Sequence, residues 1–171
     1  MLHRDALRIS GGFLELADQL ADDYLLGHRL VKAGGEIRLS QAVVECWESP
    51  RSWRKVWCHQ LRWARTIRVC RPWPYFLSIL ANGTLWPLLW GAVSNPWLGG
   101  QHWEWPTAIA CLIFRAVSAR DQQRRLNGGS GHRAPWWMPW VKDLAQAVLW
   151  VAAFLGNTVD WRGERYRVSW N

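Results

Sequence analysis

Apolar and polar residues alternate in long blocks along the chain, and the blocks predict a mainly helical protein. In the segment Leu14–Ala33, apolar side chains recur at helical spacing and predict one helix with a buried stripe. The stripe consists of Ala17, Leu20, Ala21, Tyr24, His28 and Val31. Gly34 and Gly35 follow this segment, and glycine is a common residue at the end of a helix. Beyond them, the segments around Ile37–Leu39 and Ala42–Val44 predict two short strands.

A second helix is predicted over residues 49–71, beginning at Ser49 and Pro50. Its basic face carries Arg51, Arg54, Lys55, Arg62 and Arg65. The opposite face carries Trp53, Val56, Trp57, Trp63, Ala64 and Ile67. A tryptophan-rich face opposite a basic face is typical of a helix that lies in the membrane interface. A surface helix packed against a protein core is the alternative.

The next segment predicts a membrane span. Residues 72–103 form a run of 32 residues without Asp, Glu, Lys or Arg. A spanning helix needs only about 20 apolar residues. The best candidate runs from Tyr75 to about Pro96, and Pro87 is expected to kink it.

Two shorter apolar stretches follow, at residues 105–117 and 144–159, on either side of a basic loop at about 118–142. Two spans would return the chain to the cytoplasm at this loop, as the cytoplasmic preference of basic loops requires. A third span would then place the tail outside, unless one stretch is re-entrant. The sequence leaves both topologies open.

Composition narrows the class of partner. The net charge of +8 favours anionic partners, which include nucleic acid, lipid headgroups and nucleotide diphosphates. The charge-free run argues against a nucleic-acid binder, and the 16 tryptophans suit a membrane surface. The four cysteines contain no C-x-x-C pair, which argues against a zinc site and for free thiols.

Two adjacent carboxylates, Asp22 and Asp23, point about 100° apart on the first helix. Asp22 shares a charged stripe with Asp18 and Arg29, which an ordinary solvated helix face explains. Asp23 falls beside apolar residues and Gly27. Partial desolvation would favour the protonated carboxyl there, so Asp23 is the better candidate for a general base.

The segment HQLRWAR supplies the second group of candidates. Arg62 and Arg65 can meet an anion with paired planar donors, and this anion is either a diphosphate or a lipid phosphate. Trp63 is a candidate wall for a sugar or an acyl chain. The tail from Trp161 to Arg167 is interpreted as an interfacial anchor without chemistry.

Taken in order, four segments resemble the ceramide glucosyltransferase family and its bacterial relatives, including the hopanoid-associated glycosyltransferases. They are HRDALRISGGF from His3, LADDYLLGHRLVKAGG from Leu20, HQLRWARTIR from His59 and WRGERYR from Trp161. The Asp-Asp-Tyr helix followed by an x-x-R-W helix is specific as a pair, whereas either motif alone is weak.

The resemblance implies a mainly α membrane protein with three parts. Residues 1–48 would be the carboxyl-terminal part of a GT-A α/β catalytic domain, and residues 49–71 an interfacial amphipathic helix. Residues 72–171 would form a transmembrane region of two to three helices that contains the basic loop. The protein would cross the membrane several times, with its catalytic side cytoplasmic.

The resemblance also implies an inverting transfer of a hexose from a UDP-sugar to a lipid hydroxyl, on a ceramide-like or hopanoid-like acceptor. Asp23 matches the base that deprotonates this hydroxyl. Arg62 and Trp63 match the end of a (Q/R)-x-x-R-W motif near the diphosphate and the acceptor, and His59 replaces its first residue. The expected substrate-binding residues are Asp22, His59, Arg62, Trp63 and Arg65.

The nucleotide-binding half of this family carries a D-x-D metal motif, and no D-x-D occurs in this sequence. The chain is therefore expected to be the carboxyl-terminal half of such an enzyme, without metal ligands or a cofactor of its own. A missing or separately encoded amino-terminal half would hold the UDP-sugar and Mg²⁺ or Mn²⁺. The alternative is an inactive truncated fragment that acts at most as a basic, tryptophan-rich membrane anchor.

Overall fold

The computed structural model describes residues 4–9, 11–14, 21–40, 42–44, 49, 51–93, 103–126, 134–161 and 164–168. These residues are mostly helical, as predicted, and end in one β-hairpin. The helices are α1 (Arg4–Ile9), α2 (Asp22–Lys32), α3 (Trp53–Cys70), α4 (Pro72–Leu77), α5 (Leu85–Val93), α6 (Glu104–Leu126) and α7 (Met138–Phe154). The strands are β1 (Thr158–Trp161) and β2 (Glu164–Arg167), and a 3-10 helix covers Ser78–Ala81.

Helix α2 ends at the predicted glycine stop. Gly34 has a φ of 83°, a conformation that glycine adopts without a steric penalty. The Gly34 N–H donates to the Val31 carbonyl at 3.0 Å, and the Gly35 N–H donates to the Leu30 carbonyl at 2.9 Å. These two bonds satisfy carbonyls that the helix end would otherwise leave without partners.

The predicted stripe of this helix is buried only in part. Ala21 is buried, Tyr24 and His28 are half-buried, and Val31 is exposed. Ala17 and Leu20 lie outside the described residues. In the described part of the chain, α2 packs against α1 and approaches the end of α3, and Ile37 lies close to Gly27, so little apolar surface covers the helix.

The two predicted strands are wrong for the described residues. Residues 36–40 and 42–44 are exposed and belong to neither strand of the one sheet. A strand is stable only when its backbone groups pair with a neighbour, and short runs of Ile and Val do not supply one.

Helix α3 lies within the predicted segment 49–71 and packs against α7, α4 and β1. Its residue before the first turn, Ser52, has an extended backbone. Trp53 at its start is 89% exposed, so this end of the tryptophan-rich face is not covered by the rest of the chain.

The long apolar segment is broken before the proline that was expected to kink it. The break lies at residues 82–84, between the 3-10 helix and α5. The Asn82 side-chain oxygen accepts from the backbone N–H groups of Thr84 at 3.2 Å and Leu85 at 2.8 Å, which satisfies the start of α5. Pro87 lies in the first turn of α5, where its missing N–H costs no helical hydrogen bond.

No single helix in the described residues is both long and apolar enough to cross a bilayer. Pro72–Ala81 and Leu85–Val93, bent by 60° at their break, pass that test only as a pair and only by length and composition.

Helix α6 runs antiparallel to α5 and continues into the predicted basic loop. A Cβ on Gly91 would lie 3.1 Å from Trp105, so the start of α6 packs closely on the end of α5, and a Cβ on Gly83 would lie 2.8 Å from Arg115, so the middle of α6 packs closely on the break before α5. The helix continues to Leu126 because the residues after the apolar run are good helix formers. An Arg125–Asp121 ion pair at 2.8 Å also supports this last part.

A buried polar network joins the break to α6 and α7. Arg115 donates to both carboxylate oxygens of Asp143 at 2.8 Å, and the Thr84 hydroxyl donates to the same carboxylate at 2.7 Å. The Asn82 amide donates to the Asp143 backbone carbonyl at 2.7 Å. Asp143 is 4% exposed and Thr84 is 1% exposed. One carboxylate therefore ties together three segments that are distant in sequence.

The last described residues form a hairpin that the sequence interpretation missed. β1 and β2 are antiparallel, and Thr158 pairs with Arg167 while Trp161 pairs with Glu164. The sequence does carry a hairpin signal, because a two-residue link containing Gly163 separates two short alternating runs. The predicted third apolar stretch therefore ends as helix α7 at Phe154, and Val159 belongs to β1.

We expect Asp143→Leu to lower the free energy of unfolding by about 3–5 kcal/mol, because it leaves the Arg115 guanidinium without its buried partner. Denaturant unfolding in mild detergent, followed by tryptophan fluorescence, measures this loss. The double variant Asp143→Leu/Arg115→Met should recover much of it, since no unpaired charge remains.

Asp121→Asn is the matched control, because Asp121 also pairs with an arginine but at the surface. Its loss should stay within about 0.5 kcal/mol. Equal losses for Asp121→Asn and Asp143→Leu would contradict the structural role of the buried pair.

Candidate functional site

The described residues enclose a half-open groove of about 470 Å³. It lies between α3, α7 and residues 72–82, which comprise α4, the 3-10 helix and the start of the break and are called the bent α4 segment below. A volume of about 300–1,000 Å³ is usual for small-molecule sites. The α3 wall consists of Gln60, Trp63, Ala64 and Ile67, and the α7 wall of Asp143, Gln146, Leu149 and Trp150. Tyr75, Ser78, Ile79, Ala81, Asn82 and Arg115 complete the lining.

Hydrogen bonds and ring contacts hold one end of the groove together. The Trp150 indole donates to the Tyr75 carbonyl at 3.0 Å, and its ring lies 4.9 Å from that of Phe154. Tyr75 itself is buried and lies 5.8 Å from Phe154, measured between ring centroids. This aromatic cluster fixes α4 against the end of α7.

One predicted site residue, Trp63, lines the groove, and two others lie next to it. The His59 and Trp63 rings are 5.5 Å apart, and the His59 Nδ1 is 3.4 Å from the Arg62 Nη2. Both His59 and Arg62 are half-buried. The structure therefore brings these three residues together on one stretch of α3.

Arg65 faces the hairpin. It donates to the Thr158 carbonyl, and Arg68, one turn further along α3, donates to the Asn157 side chain. Arg68 also stacks on the Phe154 ring, with its guanidinium carbon 5.3 Å from the ring centroid. These contacts attach the end of the chain to α3, a role that the sequence did not suggest for Arg65.

Asp22 and Asp23 lie in the first turn of α2, and both are exposed. The expected partial desolvation of Asp23 is therefore not observed in the described structure. Its carboxylate accepts from the Tyr24 N–H at 2.7 Å, and the Tyr24 hydroxyl accepts from Arg71 at 3.4 Å. Asp23 thus lies beside the last turn of α3, whereas His59 lies nearer the middle of that helix.

The pKa of Cys70 also indicates that Asp23 lies close to the end of α3. Burial raises the pKa of the Cys70 thiol, and the negative charge of Asp23 raises it further. Cys70 is three residues beyond Ile67, less than one helical turn. Asp23 therefore lies near the end of the groove that Ile67 lines.

The sequence interpretation missed Arg115, Asp143 and Gln146 as site residues. A signal for the first two was present, because an ionisable residue inside an apolar segment is by default a candidate functional residue. Their pairing was not visible, since 28 positions separate them. Within the described residues, no group of three or more His, Cys, Asp or Glu side chains could hold a metal ion.

The whole chain, residues 1–171, matches the family model for glycosyl transferase family 21. No curated protein and no solved structure matches the chain significantly.

We expect the double variant Arg65→Leu/Arg68→Leu to release the hairpin from α3. Amide hydrogen exchange of residues 157–168 should then speed up by about tenfold or more, because the strands of an isolated hairpin are only marginally stable. Arg54→Leu, on an exposed part of the same helix, is the control and should leave that exchange unchanged. Unchanged exchange in the double variant would show that the two arginines do not hold the hairpin.

We expect Asp23→Asn to speed the alkylation of Cys70 by iodoacetamide at pH 7–8 by about twofold. The raised pKa keeps Cys70 as the neutral thiol in this range, and removing the charge lowers the pKa and increases the thiolate fraction. Site-resolved mass spectrometry measures the rate, and the exposed Cys58 on the same helix is the internal control. A Cys70 rate that does not respond would contradict the proximity of Asp23 to α3.

Proposed function

Since the chain belongs to glycosyl transferase family 21, it is a glycosyltransferase, and we propose that it forms the acceptor side of a membrane enzyme that transfers a hexose from a UDP-sugar to a lipid hydroxyl. The groove beside Trp63 carries this proposal. Its aromatic and aliphatic walls suit an alkyl chain, and one of its ends opens near Asp23.

In the proposed reaction, Asp23 accepts the proton of the lipid hydroxyl. The hydroxyl oxygen forms a bond to the anomeric carbon from the face opposite UDP, while the bond from that carbon to the diphosphate oxygen breaks. UDP leaves with the electron pair, and the configuration at the anomeric carbon inverts. The exposure of Asp23 supports this role, because an acceptor hydroxyl can reach its carboxylate.

Arg62, whose long side chain extends from α3, is proposed to stabilise the charge that develops on the leaving diphosphate, and His59 is proposed to position the Arg62 guanidinium. Both lie on α3 next to the groove, and neither is tied to the hairpin. Arg65 has one terminal nitrogen on the Thr158 carbonyl, so its proposed part in anion binding is smaller. Asp22, in the same turn as Asp23, is proposed to contact the substrate but not to take the proton.

The UDP-sugar and its Mg²⁺ or Mn²⁺ are proposed to bind outside this chain, on an amino-terminal half of the enzyme. The described residues do not fit a divalent metal site, because they hold no cluster of carboxylates.

We further propose that the protein is a multi-pass membrane protein with its catalytic side cytoplasmic. The bent pair Pro72–Ala81 and Leu85–Val93 supports insertion into the bilayer, as does the exposed apolar surface of α6 and α7. The contacts of Arg65 and Arg68 with residues 156–158 support a tail on the same side as α3. This topology leaves one apolar stretch re-entrant.

We expect membranes that contain this chain together with the proposed amino-terminal half to transfer labelled hexose from a UDP-sugar to an added lipid mixture. Asp23→Asn should lower kcat by about a hundredfold or more, because general-base catalysis contributes on this order. Thin-layer separation of labelled lipids measures the product.

Glu36→Gln, which removes an exposed acid beyond α2, is the control and should keep the wild-type rate. Full activity in Asp23→Asn would rule out the base assignment. If the chain transfers no sugar either alone or together with the amino-terminal half, it is better described as the inactive, tryptophan-rich membrane anchor.

A further inference from the structure

Both walls of the groove are apolar towards the carboxyl ends of α3 and α7 and polar towards the amino ends. The α3 wall runs from Ile67 and Trp63 to Gln60, and the α7 wall runs from Trp150 and Leu149 to Gln146.

The two apolar ends lie side by side, because Arg68 of α3 stacks on Phe154 of α7 just beyond them. The groove therefore has one apolar end and one polar end, and Asp23 lies near the apolar end.

The polar end offers hydrogen-bonding groups that the protein itself leaves unused. The Gln60 and Gln146 side chains make no hydrogen bond within the described part of the chain. The Arg115 Nη1 likewise has no partner there, although Nε and Nη2 both bind Asp143. Two amides and one guanidinium edge thus remain available to a ligand.

The two charged side chains that line the polar end, Arg115 and Asp143, form an ion pair with each other. The Asp143 carboxylate is 5% exposed and holds Arg115 in a two-point pair, so the guanidinium charge is neutralised where it meets the groove. Thr84 and Asn82 hold Asp143 in turn, which makes the site rigid before any ligand arrives. An uncharged hydrogen-bonding group fits this environment better than an anion.

We infer that Gln60, Gln146 and Arg115 form a subsite for a second, uncharged hydrogen-bonding group of the acceptor lipid. This inference rests on the proposed function, in which the reacting hydroxyl lies near Asp23. Seven residues separate Gln60 from Ile67, which is roughly 10 Å along a helix. The second group therefore lies roughly that far along the lipid from the hydroxyl that reacts.

Binding without a sugar donor tests the subsite. Three probes compete with a diazirine-bearing octadecanol for the full chain in detergent: octadecanol, the same alcohol with a mid-chain hydroxyl, and the same alcohol with a mid-chain carboxylate. Mass spectrometry counts the cross-links on α3 and α7. The mid-chain hydroxyl should strengthen competition about five- to tenfold over octadecanol, because it gains one or two hydrogen bonds. The carboxylate should compete less well than the hydroxyl.

Gln146→Leu should remove most of this preference while octadecanol binds as before, since Gln146 is exposed and its side chain makes no hydrogen bond within the described residues. Gln122→Leu, at an exposed position of α6 outside the groove, is the matched control and should keep the preference. Equal competition by octadecanol and its mid-chain hydroxyl form would overturn the subsite. So would tighter binding of the carboxylate, or a preference that survives Gln146→Leu.

The binding experiment tests the subsite and the sugar-transfer experiment tests the proposed reaction, so either hypothesis can be rejected without the other. If the hydroxyl preference holds but no hexose is transferred, the subsite stands and the proposed reaction falls. If hexose is transferred but the preference is absent, the reaction stands and the subsite falls.

Discussion

The ion pair between Arg115 and Asp143 is the interaction on which the rest of the structure depends. A charge in an apolar segment is costly unless it is paired, so α6 and α7 can pack only where these two side chains meet. Asn82 and Thr84 bind the same aspartate, which fixes the break in the long apolar segment at that point. The bend, the helix contacts and the end of the groove therefore share one origin.

The groove follows from this arrangement and from α3. The bent α4 segment packs against α7 through aromatic rings, and α3 lies along both, so the groove lies between these three surfaces. Different faces of α3 contact the groove and the hairpin. Trp63 lines the groove, whereas Arg65 and Arg68 bind the hairpin. The same basic helix can thus carry both a substrate role and a structural one.

Several parts of this picture could be predicted from local pattern. The helical class, the stop at Gly34 and the apolar segment after residue 71 all depend on periodicity or on a single residue's backbone preference, which act over a few positions. The two expected strands near Ile37 and Val43 failed because pairing needs a partner. The kink assigned to Pro87 failed because a proline in the first turn of a helix disturbs nothing.

By itself, the sequence determined the helical blocks, the basic and aromatic faces of α3 and the resemblance that pointed to Asp23, Arg62 and Trp63. Only the tertiary structure decided that Arg115 meets Asp143, that Arg65 faces the hairpin and that Asp23 lies beside Cys70. The physical reason is the sequence distance over which the interactions act. Helix formation depends on neighbours within about one turn, whereas a pair or a groove depends on how whole helices pack.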